Sequence, residues 1–443
     1  MPSSSSFLRA TIALLALSTA LGAQGVPDTL AARPIALRDA VALAEQNGLA
    51  AIQARGQIRT AESGVRAAKG ALLPNLTISL GQVNQSGERL DAQGRLVPYL
   101  ASQPWTYSTG LNSSINLFDG GRRLNEVKRT RYDVGAAEAN EVTQKYSLAL
   151  QVKTQYYAIL AAREAEAAAQ AQLQQAQEQL KTSIVRTRAG VATLSDSLRS
   201  VIAVGNGQLA LITARNNVRV ASAALTRLVG SEMLVTAMPS DTLDRGMAAV
   251  DSTALAALLD EGPAVKQTEA QLASARAAVR SAKTPYLPSV DLNYSRAGNG
   301  FNSTYGVTGN PLAYTNNFSL RLSYTLFNNF QREDALTRAE VQADLVEAQV
   351  RDTKLAARQT LVQQLAALRS AQQRIVIQQA TLDASREDLR VQQQRYALGA
   401  STLLDVLTSQ TTLDAARSAL IQARQDIRVA RAQLEALVGR DLP

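Results

Sequence analysis

Arg395-Tyr396-Ala397-Leu398-Gly399-Ala400-Ser401-Thr402-Leu403-Leu404-Asp405-Val406-Leu407 reads as a sharp reversal between two helices. A glycine interrupts a continuous helical pattern, which permits a tight turn, and apolar residues resume their spacing directly after it. The same signature stands 209 residues upstream as Arg186-Thr187-Arg188-Ala189-Gly190-Val191-Ala192-Thr193-Leu194-Ser195-Asp196. Gly190 and Gly399, Leu194 and Leu403, Asp196 and Asp405, Leu117-Phe118 and Leu326-Phe327, and Val229-Gly230 and Val438-Gly439 all share that offset. A constant offset without a gap marks an internal duplication, so the two halves are expected to share one architecture.

No proline interrupts the chain from about Gly121 to Arg188 or from about Asn329 to Leu398. At 1.5 Å per residue such helices reach roughly 100 Å, too long for a globular core to cover, so they must pack side by side. Leu361, Leu368, Ile375, Leu382, Leu389 and Tyr396 recur every seventh residue, as do Val406, Leu413, Leu420, Ile427 and Leu434 on the returning helix. The first half repeats the rows with Val152, Ile159, Leu173 and Leu180, then Val204, Leu211, Val218 and Leu225; Glu166 and Thr187 break the first of them. A seven-residue spacing is the seam of a left-handed supercoil, and these stripes are read as coiled-coil core.

Each half opens with a helix-like segment, Ile35 to Lys69 and Thr253 to Lys283, ended by Pro74 and by Pro285 and Pro288. Two strands follow. Leu76, Ile78 and Leu80 alternate with Thr77, Ser79 and Gly81; Trp105, Tyr107, Leu111, Ile115 and Leu117 alternate with Thr106, Ser108, Gly110, Asn112, Ser114 and Asn116. In the second half Val290, Leu292 and Tyr294, then Phe318, Leu320, Leu322, Tyr324 and Leu326, form the apolar series against polar neighbours. One face is apolar and the other polar. A soluble sandwich could show the same alternation, but aromatics such as Trp105, Tyr107, Phe118, Tyr286, Phe318 and Phe327 gather toward strand ends, as in an interfacial girdle. Four strands cannot close a barrel, and an open edge in lipid leaves backbone groups unpaired, so a membrane unit of this kind must associate. Three copies would supply twelve strands, within the range of outer-membrane barrels.

Composition removes much enzyme chemistry. The 443 residues contain no Cys and no His, which excludes disulfides, thiol nucleophiles, His-based triads and the usual zinc sites. No catalytic residue, cofactor or metal is expected. Apolar residues make up 46% and aromatics only 4%, so the apolar content is mainly Ala, Leu and Val, as in closely packed helices. The net charge of +9 is spread along helices and gathered in no patch, which argues against nucleic acid. Arg9, the apolar run Ile12 to Ala20 and the small residues around Ala23-Gln24-Gly25 read as a signal peptide, with Pro27 after the cleavage point. Beyond it no stretch of 18 apolar residues occurs, so any membrane span would have to be a barrel.

Together these features resemble the TolC family of outer membrane efflux proteins over essentially the whole mature chain. The most specific segment is Arg395 to Leu407, similar to the family's Arg, aromatic, Gly and Leu-Asp-Val-Leu pattern at a periplasmic hairpin tip. The resemblance implies a mixed α and β membrane protein, a homotrimeric 12-stranded β-barrel continued by a long α-helical coiled-coil barrel that extends from the outer membrane into the periplasm. It would be a passive exit duct for efflux or type I secretion, joined by a periplasmic adaptor to an inner-membrane pump. The expected division is a signal peptide at 1–25, a first repeat at 26–230, an inter-repeat equatorial segment at 231–251 and a second repeat at 252–440. A periplasmic adaptor, the nearest alternative, carries one hairpin between β-domains; two hairpins, each behind its own strand pair, argue against it. Adaptor docking is expected at Arg186, Gly190, Val191 and Leu194 and at Arg395, Gly399, Ala400 and Leu403. The resemblance also implies a gate built on Asp405 and on a link from Tyr396 to Asp196. Ser401 stands where relatives carry an Arg latch, and Thr408 where they carry a second acid. Asp196 and Asp405 could equally cap the returning helices, a role compatible with gating.

Overall fold

The computed structural model describes residues 32–84, 87–98, 105–238, 255, 257–302 and 312–440. Residues 1–25, expected from sequence to be a signal peptide, and residues 239–251 of the expected inter-repeat segment lie outside them. The helices carry the duplication residue for residue. α3 (Arg122–Arg188) and α4 (Leu194–Val229) contain 67 and 36 residues, and so do α6 (Gln331–Ala397) and α7 (Leu403–Val438). Among the described residues no helix is long and apolar enough to cross a membrane.

The described residues divide into two compact units, one within 1–52, 145–253 and 360–443, the other within 53–144 and 254–359. In the first unit the seven-residue rows form the core. Leu382, Leu389, Tyr396, Leu403, Val406, Leu413 and Leu420 make one buried cluster. A second gathers where β1 (Arg33–Ile35) runs parallel to β6 (Val235–Ala237). Tyr156 is fully buried there, and its hydroxyl donates to the Ile35 carbonyl at 3.1 Å while accepting the Met238 N–H at 3.0 Å. The first helical segment is split into α1 (Leu37–Asn47) and α2 (Leu49–Gly70), because Gly48 turns to extended backbone between them. Lys153 and Glu435 pair at 2.6 Å in this unit and are both mostly buried.

The second unit is built on a four-stranded antiparallel sheet in the order β2 (Asn75–Asn84), β5 (Trp105–Asp119), β7 (Ser289–Asn302), β8 (Ala313–Ser323). A short hairpin of β3 (Glu88–Leu90) and β4 (Leu96–Pro98) stands between β2 and β5, inside the first strand pair. α5 (Pro263–Ala282) begins at a proline in its first turn, which costs no hydrogen bond at that position. Register places Leu76, Tyr294 and Phe318 on one face with Leu292, Leu320, Val290 and Leu322, and Asn112, Ser295, Asn317 and Asp291 on the other. One strand reading is corrected. A bulge between Asn116 and Phe118 shifts the register, so Phe118 pairs with Val290 on the apolar face, and Leu117 is the extra residue. Strict alternation carried from Trp105 to Leu117 could not foresee it.

From strand to long helix the two halves turn with the same geometry and different residues. Gly120 and Gly121 have φ of 68° and 83°, and Asn329 and Phe330, at the same places 209 residues later, have φ of 55° and 61°. A Cβ at Gly120 would lie 2.5 Å from the Thr284 carbonyl oxygen, which excludes any side chain there. Arg123 ties the first turn, from Nε to Asp119 Oδ2 at 3.1 Å and from Nη1 to the Ala71 carbonyl at 3.0 Å.

Candidate functional site at the hairpin tips

Both tips end their first helix in the same way. Gly190 and Gly399 take left-handed φ values of 76° and 77°. Their N–H groups bond back to the Thr187 and Tyr396 carbonyls at 3.1 Å each, and the next residues, Val191 and Ala400, reach the Arg186 and Arg395 carbonyls at 3.0 and 2.8 Å. This pair of bonds satisfies helix-end carbonyls that would otherwise be orphaned, and a left-handed residue is required to form it. Nothing lies within 4 Å of a Cβ built on either glycine, so backbone conformation, and not crowding, selects glycine at both tips.

Both tips also start their second helix in the same way. Thr193 with Asp196, and Thr402 with Asp405, form reciprocal capping boxes. Asp405 is the more heavily engaged. Its Oδ2 accepts the Thr402 N–H at 2.9 Å and the Thr402 hydroxyl at 2.7 Å, and lies 3.0 Å from the Ser401 hydroxyl. The Thr402 N–H foremost, then the Thr402 and Ser401 hydroxyls, hold its pKa below the ordinary carboxylate value, with Arg395 adding a favourable charge. Thr408, at the position of the second acid, bonds the Leu404 carbonyl of its own helix at 2.9 Å.

The tips are joined through Arg186. Its guanidinium lies 4.8 Å from the centre of the Tyr396 ring, and Nη1 donates to the Ala397 carbonyl at 3.0 Å. Burial first, then the Asp196 charge, raises the Tyr396 pKa, against the opposing effect of Arg186. The expected hydrogen bond from Tyr396 to Asp196 is not formed within the chain. No bond joins the Tyr396 hydroxyl to Asp196, whose carboxylate accepts the Thr193 N–H at 3.1 Å. Thus the contact between hairpins runs from Arg186 to Tyr396. Arg186, singled out from sequence for docking, is the residue that spans them.

Exposure corrects one docking residue. Leu403 is only 2% exposed and sits in the supercoil core, because it is the first core residue of α7. The outward apolar side chains are Val191 and Leu194 at one tip, and Leu398 and Leu404 at the other, with Leu398 85% exposed. Leu398 and Leu404 were missed from sequence. In the heptad frame they fall just outside the buried row of Tyr396, Leu403 and Val406, a signal that was available.

Known proteins are similar to the chain in sequence and in fold. The profile of the family described as outer membrane efflux protein matches residues 40–231 and 254–440. Outer membrane efflux protein BepC of Brucella suis biovar 1 is 25% identical over 414 residues, covering 91% of this chain and 85% of that protein. Pyoverdine export outer membrane protein OpmQ of Pseudomonas aeruginosa is 28% identical over 418 residues, covering 90% and 82%. Among solved structures, CusC superposes with a TM-score of 0.75 at 19% identity, over 91% of this chain and 92% of that one.

Proposed function

Since the chain belongs to the outer membrane efflux protein family, and is therefore an outer-membrane channel subunit of an export system, we propose that it works as a homotrimer whose twelve strands close a barrel. The supporting observation is the four-stranded sheet, with one largely apolar face, one polar face and, among the described residues, no strand paired to the outer sides of β2 and β8. In hydrocarbon each unsatisfied backbone group costs several kcal/mol, a load that only edge-to-edge closure with further copies removes. The polar face then lines the exit path and the apolar face meets lipid.

On this reading the hairpin tips receive a periplasmic adaptor, which couples the duct to an inner-membrane pump. Val191, Leu194, Leu398 and Leu404 supply apolar contact beside Arg395, and Arg186 holds the two tips as one surface. Threefold symmetry brings three Asp405 carboxylates around the axis, where they would attract cations. Extraction in detergent followed by native mass spectrometry and planar-bilayer recording tests the reading. A trimer that requires detergent and forms ion-conducting pores supports it. A monomer soluble after processing, with no conductance, overturns it.

A further inference from the structure

On the apolar face of the sheet one charged residue stands alone. Asp119, Asp291 and Arg321 all alternate onto the polar face, whereas Arg296 aligns with Leu111 and Asn316, in the same series as Val290, Leu292 and Tyr294. Among the described strand residues of this sheet, Arg296 is the only charged side chain on that face. It lies toward the Asn302 end of β7, beyond the apolar rows of Val290, Leu292 and Tyr294. Its guanidinium reaches further in the same direction, 4.6 Å from the centre of the Tyr314 ring, and Tyr314 pairs with Gly298 one row beyond Arg296. No carboxylate among the described residues pairs with it.

Three physical points converge. A charge on a lipid-facing strand is costly at the bilayer centre and tolerated at its boundary, so long side chains extend toward the boundary. A guanidinium resting on an aromatic face keeps its position without giving up its hydrogen-bond donors. Those five donors, left without a carboxylate, match the oxygens of a phosphate better than any other group of a membrane surface. We infer that Arg296, seated on Tyr314, binds the phosphate of an anionic lipid headgroup where the sheet leaves the hydrocarbon, at the end of the β7–β8 hairpin. This rests on the reading of that face as lipid-facing.

The test is native mass spectrometry of the detergent-purified full chain after incubation with phosphatidylglycerol or with phosphatidylcholine. The wild-type protein is expected to retain phosphatidylglycerol severalfold over phosphatidylcholine. Arg296→Gln should lose that preference, Arg296→Lys keep part of it, and Tyr314→Leu weaken it. Undiminished preference in Arg296→Gln overturns the inference. Should Arg296→Gln fail to insert, full preference in Tyr314→Leu together with none in Arg296→Lys would overturn it equally. Equal retention of phosphatidylglycerol and phosphatidylcholine, together with Arg296-dependent binding of inorganic phosphate alone, would assign the site to a free anion and refute the lipid. A wild-type chain that leaves membranes without detergent would sink the channel reading itself, an outcome separate from these.

Discussion

At the scale of single residues, the tips separate backbone demands from contact demands. Because Gly399 has φ of 77° and open space around its Cβ, Gly399→Ala should cost only the left-handed penalty of about 1–2 kcal/mol. Gly399→Trp should add bulk at the docking surface. We expect export to fall modestly with alanine and to be abolished with tryptophan, while both variants still insert and assemble; equal export in both would remove this tip from docking. The capping boxes permit a second separation. Thr402→Ala should lower stability by about 1 kcal/mol and leave ion selectivity intact, whereas Asp405→Ala should reduce cation selectivity as well. Reversal potentials in a salt gradient read the difference directly. The sign of the pH effect follows from the depressed Asp405 pKa. Its contribution is present above the unfolded carboxylate value of about 3.9 and is lost as pH falls through the folded value. The folded Asp405 carboxylate stays charged to more acidic pH than an ordinary carboxylate, so selectivity should decline only below the ordinary carboxylate range.

At the scale of elements, the two strand-to-helix turns form a natural comparison. Gly120-Gly121 occupies left-handed backbone at little cost, while Asn329-Phe330 occupies the same region with side chains, and a bulky residue there stores strain. Phe330 packs edge-on against Phe327, with ring centres 5.4 Å apart, and remains exposed in the isolated chain. An aromatic pair of this kind at a membrane boundary can offset the strain through its contact with the interface. Phe330→Gly should thus raise stability in detergent by up to about 1 kcal/mol yet lower it in lipid bilayers, by urea titration in each medium. A gain in both would show that Phe330 has no interfacial role. The clip between hairpins belongs to this scale too. As the Arg186 guanidinium meets the Tyr396 ring and the hydroxyl makes no bond to Asp196, Tyr396→Phe should change open probability less than Tyr396→Leu or Arg186→Gln, both of which should raise it. A large effect of Tyr396→Phe would point instead to a hydroxyl bond formed in the assembled channel, as the Tyr396–Asp196 link expected from sequence would require.

At the scale of the whole molecule, the sheet's two faces set opposite tolerances. Leu320 and Ser319 are neighbours on β8 that face opposite ways, with Leu320 aligned on Leu292 and Ser319 on Asn293. Leu320→Arg should destabilise the inserted protein by about 2–4 kcal/mol, and Ser319→Arg should change conductance with little loss of stability. Unfolding in liposomes together with bilayer recording distinguishes the two. If Leu320→Arg is harmless, that face does not meet lipid.

The sequence alone determined the features that depend on periodicity. The offset of 209 residues between Gly190 and Gly399 predicts that α3 and α6, and α4 and α7, match in length, and they do to the residue. The seven-residue rows name core residues such as Leu382, Leu389 and Leu413, all of them buried. These are local regularities, repeated at fixed spacing, and a one-dimensional pattern records them fully. What only the tertiary structure decided are matters of a single residue's displacement or of pairs distant in sequence. The bulge at Leu117 depends on how β5 meets β7, and the burial of Leu403 on where α7 enters the supercoil. Arg186 reaches a ring 210 positions away, and Arg296 becomes singular only once register sorts every charge of the sheet onto one face or the other. Such contacts are fixed by packing between segments distant in sequence, so the spacing within one segment can place a residue on a face but cannot name what it meets there.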